Sequence, residues 1–125
     1  MNPGELQLDE ILARLERNEF SWQPFQPGVE ISRLWGDPQA GPSSALLRYA
    51  PGARVPRHRH EDIEEIRILR GSQRDDDGVY PAGSHVTKPA GSVHTVESPE
   101  GCVAWLVWRK PNTFIDEPGS PSGGY

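Results

Sequence analysis

The sequence predicts an all-β domain, a sandwich or barrel of short antiparallel strands, preceded by one helix. Three observations carry this. From Val29 to about Thr113, turn signals recur every eight to twelve residues, the spacing of strands in a closed or sandwiched sheet. Thirteen Gly and thirteen Pro make up about a fifth of the chain with no collagen-like period, the composition of many short strands joined by tight turns. Only one segment has a helical apolar period, and it comes first. At 125 residues the chain reads as one domain, long enough to bury roughly two-thirds of its unfolded surface.

The helix rests on Leu8, Ile11, Leu12 and Leu15, which fall at i, i+3, i+4 and i+7 and form one stripe. Asp9 is the expected N-cap, with Glu10 in the first turn. SWQPFQPG then breaks the helix, with Pro24 and Pro27 as stops. VEISRLWG is a strand before the turn GDPQAGP, and SALLRYAPG is a strand ended by Pro-Gly. Arg54 to Leu69 alternates well enough for two strands or one bent one. Asp77-Gly78 signals a hairpin. HVTKPAGSVHTVE makes two short strands around Pro89-Ala90-Gly91, SPEG is a further turn, and CVAWLVW is a strand buried on both faces. The expected organisation is an amphipathic helix in residues 1–20, a barrel in 21–115 and a flexible polar tail in 116–125.

Composition removes several classes of function. Thirteen Lys and Arg against eighteen Asp and Glu leave a charge of −5, so a dominantly electrostatic grip on nucleic acid or anionic lipid is not expected. A single cysteine, Cys102, makes neither an intrachain disulfide nor a thiolate zinc site. No apolar run approaches the ~20 residues of a membrane span. The N-terminus mixes charges through its apolar positions, unlike a signal peptide. The cytoplasm is the expected location.

The histidines carry the chemistry. His58, His60 and Glu64 in PRHRHEDIEE are two and four residues apart, and on an extended strand even spacing puts all three side chains on one face. Ile66 and Ile68 continue that parity with apolar bulk. Arg57, Arg59, Glu65, Arg67 and Leu69 take the other face. Two imidazoles and a carboxylate above a dry floor form an arrangement that holds a divalent metal. His94, thirty residues beyond Glu64, is placed to complete such a site from a neighbouring strand. A solvated hairpin is the bland alternative for a basic pair followed by acidic residues.

The longer spacing decides between them. Gly52 is followed by five residues and His58, then Arg59 and His60, then three residues and Glu64, then six and Gly71. Gly83 is followed by five residues, Pro89-Ala90-Gly91, two residues and His94. This resembles the paired motif of the cupin superfamily at every anchor but the last, where Ser98 stands in place of a loosely kept Asn. The run LLRYAPGARVPRHRHEDIEEIRILRGSQRDDDGVYPAGSHVTKPAGSVHTVESPEGC resembles more narrowly the cupin domain of ChrR-type anti-sigma factors and their free-standing bacterial relatives. Its marks are Leu-Arg-Tyr before Pro-Gly-Ala, the pair Glu64-Glu65, the hairpin Asp77-Gly78-Val79-Tyr80 and Pro-x-Gly-Ser before His94. The resemblance covers about seventy per cent of the chain, from Trp22 to Trp108. The separate N-terminal His/Cys zinc-binding domain of the anti-sigma factors has no counterpart in it.

The resemblance implies a small antiparallel jelly-roll barrel with one divalent transition metal near its mouth, held by His58, His60, Glu64 and His94. Such a ligand set suits Fe(II), Mn(II), Ni(II) or Zn(II) better than Cu(I) or Ca(II). An octahedral metal would keep two further positions, whereas tetrahedral zinc would be closed. The expected function is a metal-dependent enzyme of dioxygenase, isomerase or lyase type, acting on a small oxygen-rich or carboxylate-bearing molecule. The alternative is a non-catalytic metal- or ligand-binding sensor of the ChrR cupin type. Arg48 and His85 are candidate substrate contacts: Arg48 by reaching into the barrel to a carboxylate, His85 by lining the mouth. The bland readings are an ion pair for Arg48 and an exposed surface position for His85. Glu65 is the alternative to Glu64 as ligand. Asp75, Asp76 and Asp77 read as a solvated hairpin tip, and Cys102 as a small buried hydrophobe. The helix stripe needs a surface to cover it, either its own barrel or a partner's, and a homodimer is expected, the bland reading being a monomer whose helix caps one end of the barrel.

Overall fold

The computed structural model describes residues 7–37 and 39–115, with the backbone of 123–124. A helix, α1 (Leu8–Glu16), precedes eleven strands: β1 (Gln23–Gln26), β2 (Val29–Gly36), β3 (Ser43–Tyr49), β4 (Ala53–Arg59), β5 (Glu64–Asp75), β6 (Gly78–Pro81), β7 (His85–Lys88), β8 (Val93–Ser98), β9 (Cys102–Trp108), β10 (Thr113–Phe114) and β11 (Gly123–Gly124). All pairings are antiparallel. One layer runs β1-β2-β3-β9-β5-β7 and the other β11-β10-β4-β8, reaching β5 and β6. β5 belongs to both. Its first part, Glu64 to Gly71, pairs with β9, and its last residues, Ser72 to Asp75, pair with β6. At the corner, Gly71 has φ +69°, and a Cβ there would collide with the Gly101 carbonyl, so only glycine lets the strand turn between layers.

This is the all-β, curled antiparallel architecture expected, and the element order follows the turn signals. The Arg54–Leu69 stretch resolves into two strands, with a bend at residues 60–63. Period-two alternation then sorts the side chains: Ile66 and Ile68 are buried while Glu65 and Arg67 are exposed. With Ile31, Leu47, Tyr49, Val55, Val96, Ala104, Leu106 and Trp108 they form the core between the layers. On β9 one face, Cys102, Ala104, Leu106 and Trp108, is fully buried, while on the other Val103 is buried and Trp105 and Val107 are half-buried, so the unbroken apolar run is covered on both faces only in part. Cys102 is a free, buried thiol. The hairpin turn lies one residue earlier than Asp77-Gly78: Asp75 pairs with Gly78, and Asp76-Asp77 form the loop.

The helix packs on the outside of its own sheet. Ile11 and Leu15 bury against Leu46 and Val103, flanked by Phe20, Trp22, Leu34, Leu69 and Trp105. Leu8 and Leu12 remain over a third exposed, so half of the stripe is covered. Asp9 is not the N-cap. Gln7 holds that position without a side-chain bond, and Asp9 accepts instead from the Glu10 N–H. The helix ends before the prolines, at Asn18 (φ +53°). There the Asn18 and Glu19 N–H groups bond back to the Leu15 and Arg14 carbonyls, the left-handed closure asparagine tolerates. Among the described residues no helix is long and apolar enough to cross a membrane. The tail from residue 116 lies outside the described residues, apart from the 123–124 pairing with β10.

Candidate metal centre

Three strands and one turn assemble the site. His58 points inward from β4 and pairs across the ladder with His94 of β8. His60 lies just past the end of β4, where its backbone N–H bonds the Ser92 carbonyl and its carbonyl accepts from the Gly91 N–H. The Pro89-Ala90-Gly91 turn therefore clamps it. Glu64 does not share a strand with the two histidines, which corrects the expectation of one continuous face. The chain bends between them, and Glu64 enters from the start of β5, opposite Trp108 and Lys88. All four candidate ligands are 0–3% exposed.

Each imidazole has its Nδ1 engaged. His58 Nδ1 donates to the Pro56 carbonyl at 2.8 Å. His60 Nδ1 lies 2.9 Å from Ser92 Oγ. That hydroxyl gives its own proton to the Pro89 carbonyl, so it accepts from the imidazole. His94 Nδ1 donates to Asp75 Oδ2 at 2.9 Å. With every Nδ1 a donor, every Nε2 presents a lone pair. The ligand atoms of His58, His60 and His94 lie within 4.8 Å of one another, and His58 Nε2 and His94 Nε2 are 2.9 Å apart. His60 Nε2 is buried without a hydrogen-bond partner, 3.3 Å from Glu64 Oε2. Converging lone pairs repel unless a proton or a cation stands among them. A proton is disfavoured: burial, aided by His94, pushes His58 down to about 3, and burial with His94 pushes His60 down to about 4. Burial also lowers His94 against the opposing Asp75 carboxylate. Three neutral imidazoles with an orphaned acceptor fit a divalent cation.

Glu64 stands beside the three converging histidines, next to His60. Burial raises its carboxyl to about 7, against the Asn112 hydrogen bond and Lys88. Asn112 Nδ2 donates to Glu64 Oε2 at 2.7 Å, and its own Oδ1 is buried without a partner. Asn112 lies just before β10, which pairs with β4 and sets Phe114 opposite His58. The Phe114 and His58 ring centroids are 5.7 Å apart, so this segment packs beside the histidines.

The other sequence candidates lie elsewhere. Arg48 does not enter the barrel. Its guanidinium pairs with Glu30 at 2.8 Å, stacks on Trp22 and lines a surface cleft of about 770 Å³ with Phe25 and Tyr49. His85 is exposed and faces Glu65 at 3.4 Å; neither touches the histidine cluster. Asp75 is the clearest departure from expectation, since its side chain is buried while Asp77 is exposed. Lys88 Nζ reaches Asp75 Oδ2 at 2.7 Å, and Tyr80 Oη donates to Asp75 Oδ1 at 2.9 Å. Burial alone would raise the Asp75 carboxyl, but bonds from Lys88, His94, the Asp77 N–H and Tyr80 hold it below the ordinary carboxylate range. The same contacts hold Lys88 above the ordinary amine range despite burial. Lys88, Ser92 and Asn112 are not singled out by the sequence, and Asp75 reads there only as part of a solvated hairpin tip. Only Ser92 carried a signal, as part of the Pro-x-Gly-Ser mark.

Solved structures of similar fold include an RmlC-like cupin protein from Ralstonia eutropha, at 25% identity over 86% of this chain and 75% of that one, with TM-score 0.72. An acetylacetone dioxygenase from Acinetobacter johnsonii shows 20% identity over 83% and 79%, with TM-score 0.72. The Rhodobacter sphaeroides complex of SigE with the anti-sigma ChrR shows 20% identity over 86% of this chain and 60% of that one, with TM-score 0.70. The latter two likenesses are of fold alone. No curated protein matches the chain. The model of the ChrR cupin-like domain matches residues 12–112, which is most of the chain, and the protein belongs to that family.

Proposed function

We propose that this chain holds one divalent transition metal through His58, His60, Glu64 and His94, and is a metal-dependent enzyme acting on a small oxygen-rich or carboxylate-bearing molecule. The observation that carries the metal assignment is the convergence of three Nδ1-anchored imidazoles on an unpartnered His60 Nε2. The donor set suits Fe(II), Mn(II), Ni(II) or Zn(II). Such a metal supplies Lewis-acid polarisation of an oxygen ligand, or redox chemistry if it is iron. The chain's own residues prepare for this. Burial keeps the imidazoles unprotonated at neutral pH, Asn112 holds the Glu64 carboxyl group, and the Phe114 ring lies beside His58. The acetylacetone dioxygenase among the fold neighbours supports a small chelating oxygen compound as the substrate class. We further propose a cytoplasmic homodimer that engages neither nucleic acid nor membrane.

A second reading, a metal-holding sensor of the ChrR cupin type, is favoured by the burial of all four ligands. The two separate in one experiment. Protein purified without chelator is assayed for metal, loaded with cobalt(II) and titrated with acetylacetone under visible absorption. The enzyme reading expects about one metal per chain and a spectrum that changes with the diketone. A cobalt spectrum unmoved by acetylacetone and by small dicarboxylates would overturn it in favour of the sensor. Absence of bound metal would overturn both.

A further inference from the structure

The three imidazoles are oriented by three different acceptors, and one of them is unlike the others. His58 uses a carbonyl two residues away, and His60 uses a hydroxyl in the turn that clamps its backbone. His94 uses a carboxylate from the far end of β5, nineteen residues distant in sequence. This is the one charged acceptor of the three, and charge-assisted hydrogen bonds are about twice as strong as neutral ones.

We propose that Asp75 is a positioning residue of the metal centre: its carboxylate fixes His94 as the Nδ1–H tautomer with Nε2 turned toward the other ligands, and Lys88 and Tyr80 hold Asp75 for that task. This rests on the metal-binding role proposed above. Asp75 is not itself a ligand, because it sits on the Nδ1 side of the ring, away from the converging Nε2 atoms. Its two oxygens are both saturated. Oδ2 accepts from His94 Nδ1 and Lys88 Nζ, and Oδ1 accepts from Tyr80 Oη and the Asp77 N–H. Donors on β7 and β6 and in the hairpin loop thus fix the carboxylate against rotation. Lys88 is itself 7% exposed and is tied a second time to Asp77 Oδ2 at 3.0 Å. An imidazole whose far nitrogen donates to a carboxylate is a better metal donor and loses less rotational freedom on binding.

The competing explanation is that Asp75 merely neutralises buried Lys88. Zinc(II) affinity, measured by competition with a chelator on the full chain, separates the two. Asp75→Ala is expected to lower affinity about 10- to 100-fold, the usual effect of losing an outer partner of a metal-bound histidine. Asp75→Asn, whose Oδ1 can still accept from His94, should recover part of the loss. Adding Lys88→Met to Asp75→Ala removes the stranded cation and should restore thermal stability without restoring affinity relative to Lys88→Met alone. Nitrogen-15 NMR of the metal-free protein reads the tautomer directly: Nδ1–H at His94 in the parent, and Nε2–H gaining population in Asp75→Ala. Unchanged affinity and an unchanged tautomer in Asp75→Ala would overturn the proposal. So would recovery of affinity together with stability in the double variant. His58→Ala is the control for the metal site itself: if it also binds zinc like the parent, the metal assignment fails, whereas if it alone loses zinc, only the role of Asp75 fails.

Discussion

Replacing Asn112 by leucine tests whether Glu64 serves as a ligand. Leucine keeps the branching of asparagine, removes the 2.7 Å bond to Glu64 and also removes the unpartnered Oδ1; its greater bulk is the packing cost that the folding control reads. A hydrogen bond to a charged group contributes about 1.5–3 kcal/mol. At 1.36 kcal/mol per pH unit, its loss should move the Glu64 carboxyl up by about one to two pH units from its present position near 7. At pH 7 the fraction of Glu64 ready to ligate then falls about tenfold. His58 and His60 lie at about 3 and 4, so neither competes for protons above pH 6. The assay is apparent zinc affinity from pH 6.5 to 9, with metal-free thermal melts as the folding control. Asn112→Leu should bind about tenfold more weakly than the parent at pH 7 and approach it at pH 9. A variant curve that coincides with the parent at every pH, in a folded protein, would refute the role of Glu64. A deficit independent of pH would refute the protonation argument.

Stability of the metal-free protein should peak near neutral pH. His58 and His60 have folded values depressed below 6.5. Their contribution is therefore present above about pH 6.5 and lost as pH falls toward 4 and 3, at roughly 2.7 kcal/mol per pH unit for the two groups together. Glu64 is raised from 4.5 to about 7, so its contribution is complete below pH 4.5 and lost as pH rises through 7; melts that do not change between pH 7 and 5 would contradict the buried-neutral state of the histidines. Ile11→Ala should cost about 2–5 kcal/mol by emptying a buried site, since Ile11 is fully covered, yet leave zinc affinity unchanged because the helix packs on the outer face of the sheet. Light scattering at micromolar concentration should give a dimer; a mass near the 13.9 kDa of one chain would end that expectation.

The strands were legible because turn residues and side-chain alternation are local properties. Gly71, Pro89-Ala90-Gly91 and the SPEG turn sit at chain reversals or corners, and Ile66 and Ile68 alternate with Glu65 and Arg67 as their spacing requires. The convergence of His58, His60 and His94 was legible because the spacing matched a known pattern. What escaped depends on contacts distant in sequence. Asp75 stands in a run of three aspartates that looks solvated, and only the arrival of Lys88 and Tyr80 from β7 and β6 buries it. Glu64 was expected on the histidines' strand because parity says nothing about a bend at residues 60–63. Asn112 follows a strand end with no motif around it, and its role comes from meeting Glu64 across 48 positions. Arg48 faces outward because its neighbours Leu47 and Tyr49 take the core side of β3.

Metal content tests the central claim most directly. The parent, His58→Ala, His60→Ala, His94→Ala, His85→Ala and Arg48→Ala would be purified without chelator and assayed for bound transition metals per chain. The account predicts about one metal per chain in the parent, His85→Ala and Arg48→Ala, whose side chains face surface carboxylates away from the cluster, and loss of most of it in the three cluster variants. Equal loss across all five variants, or full retention in the three cluster variants, would contradict it.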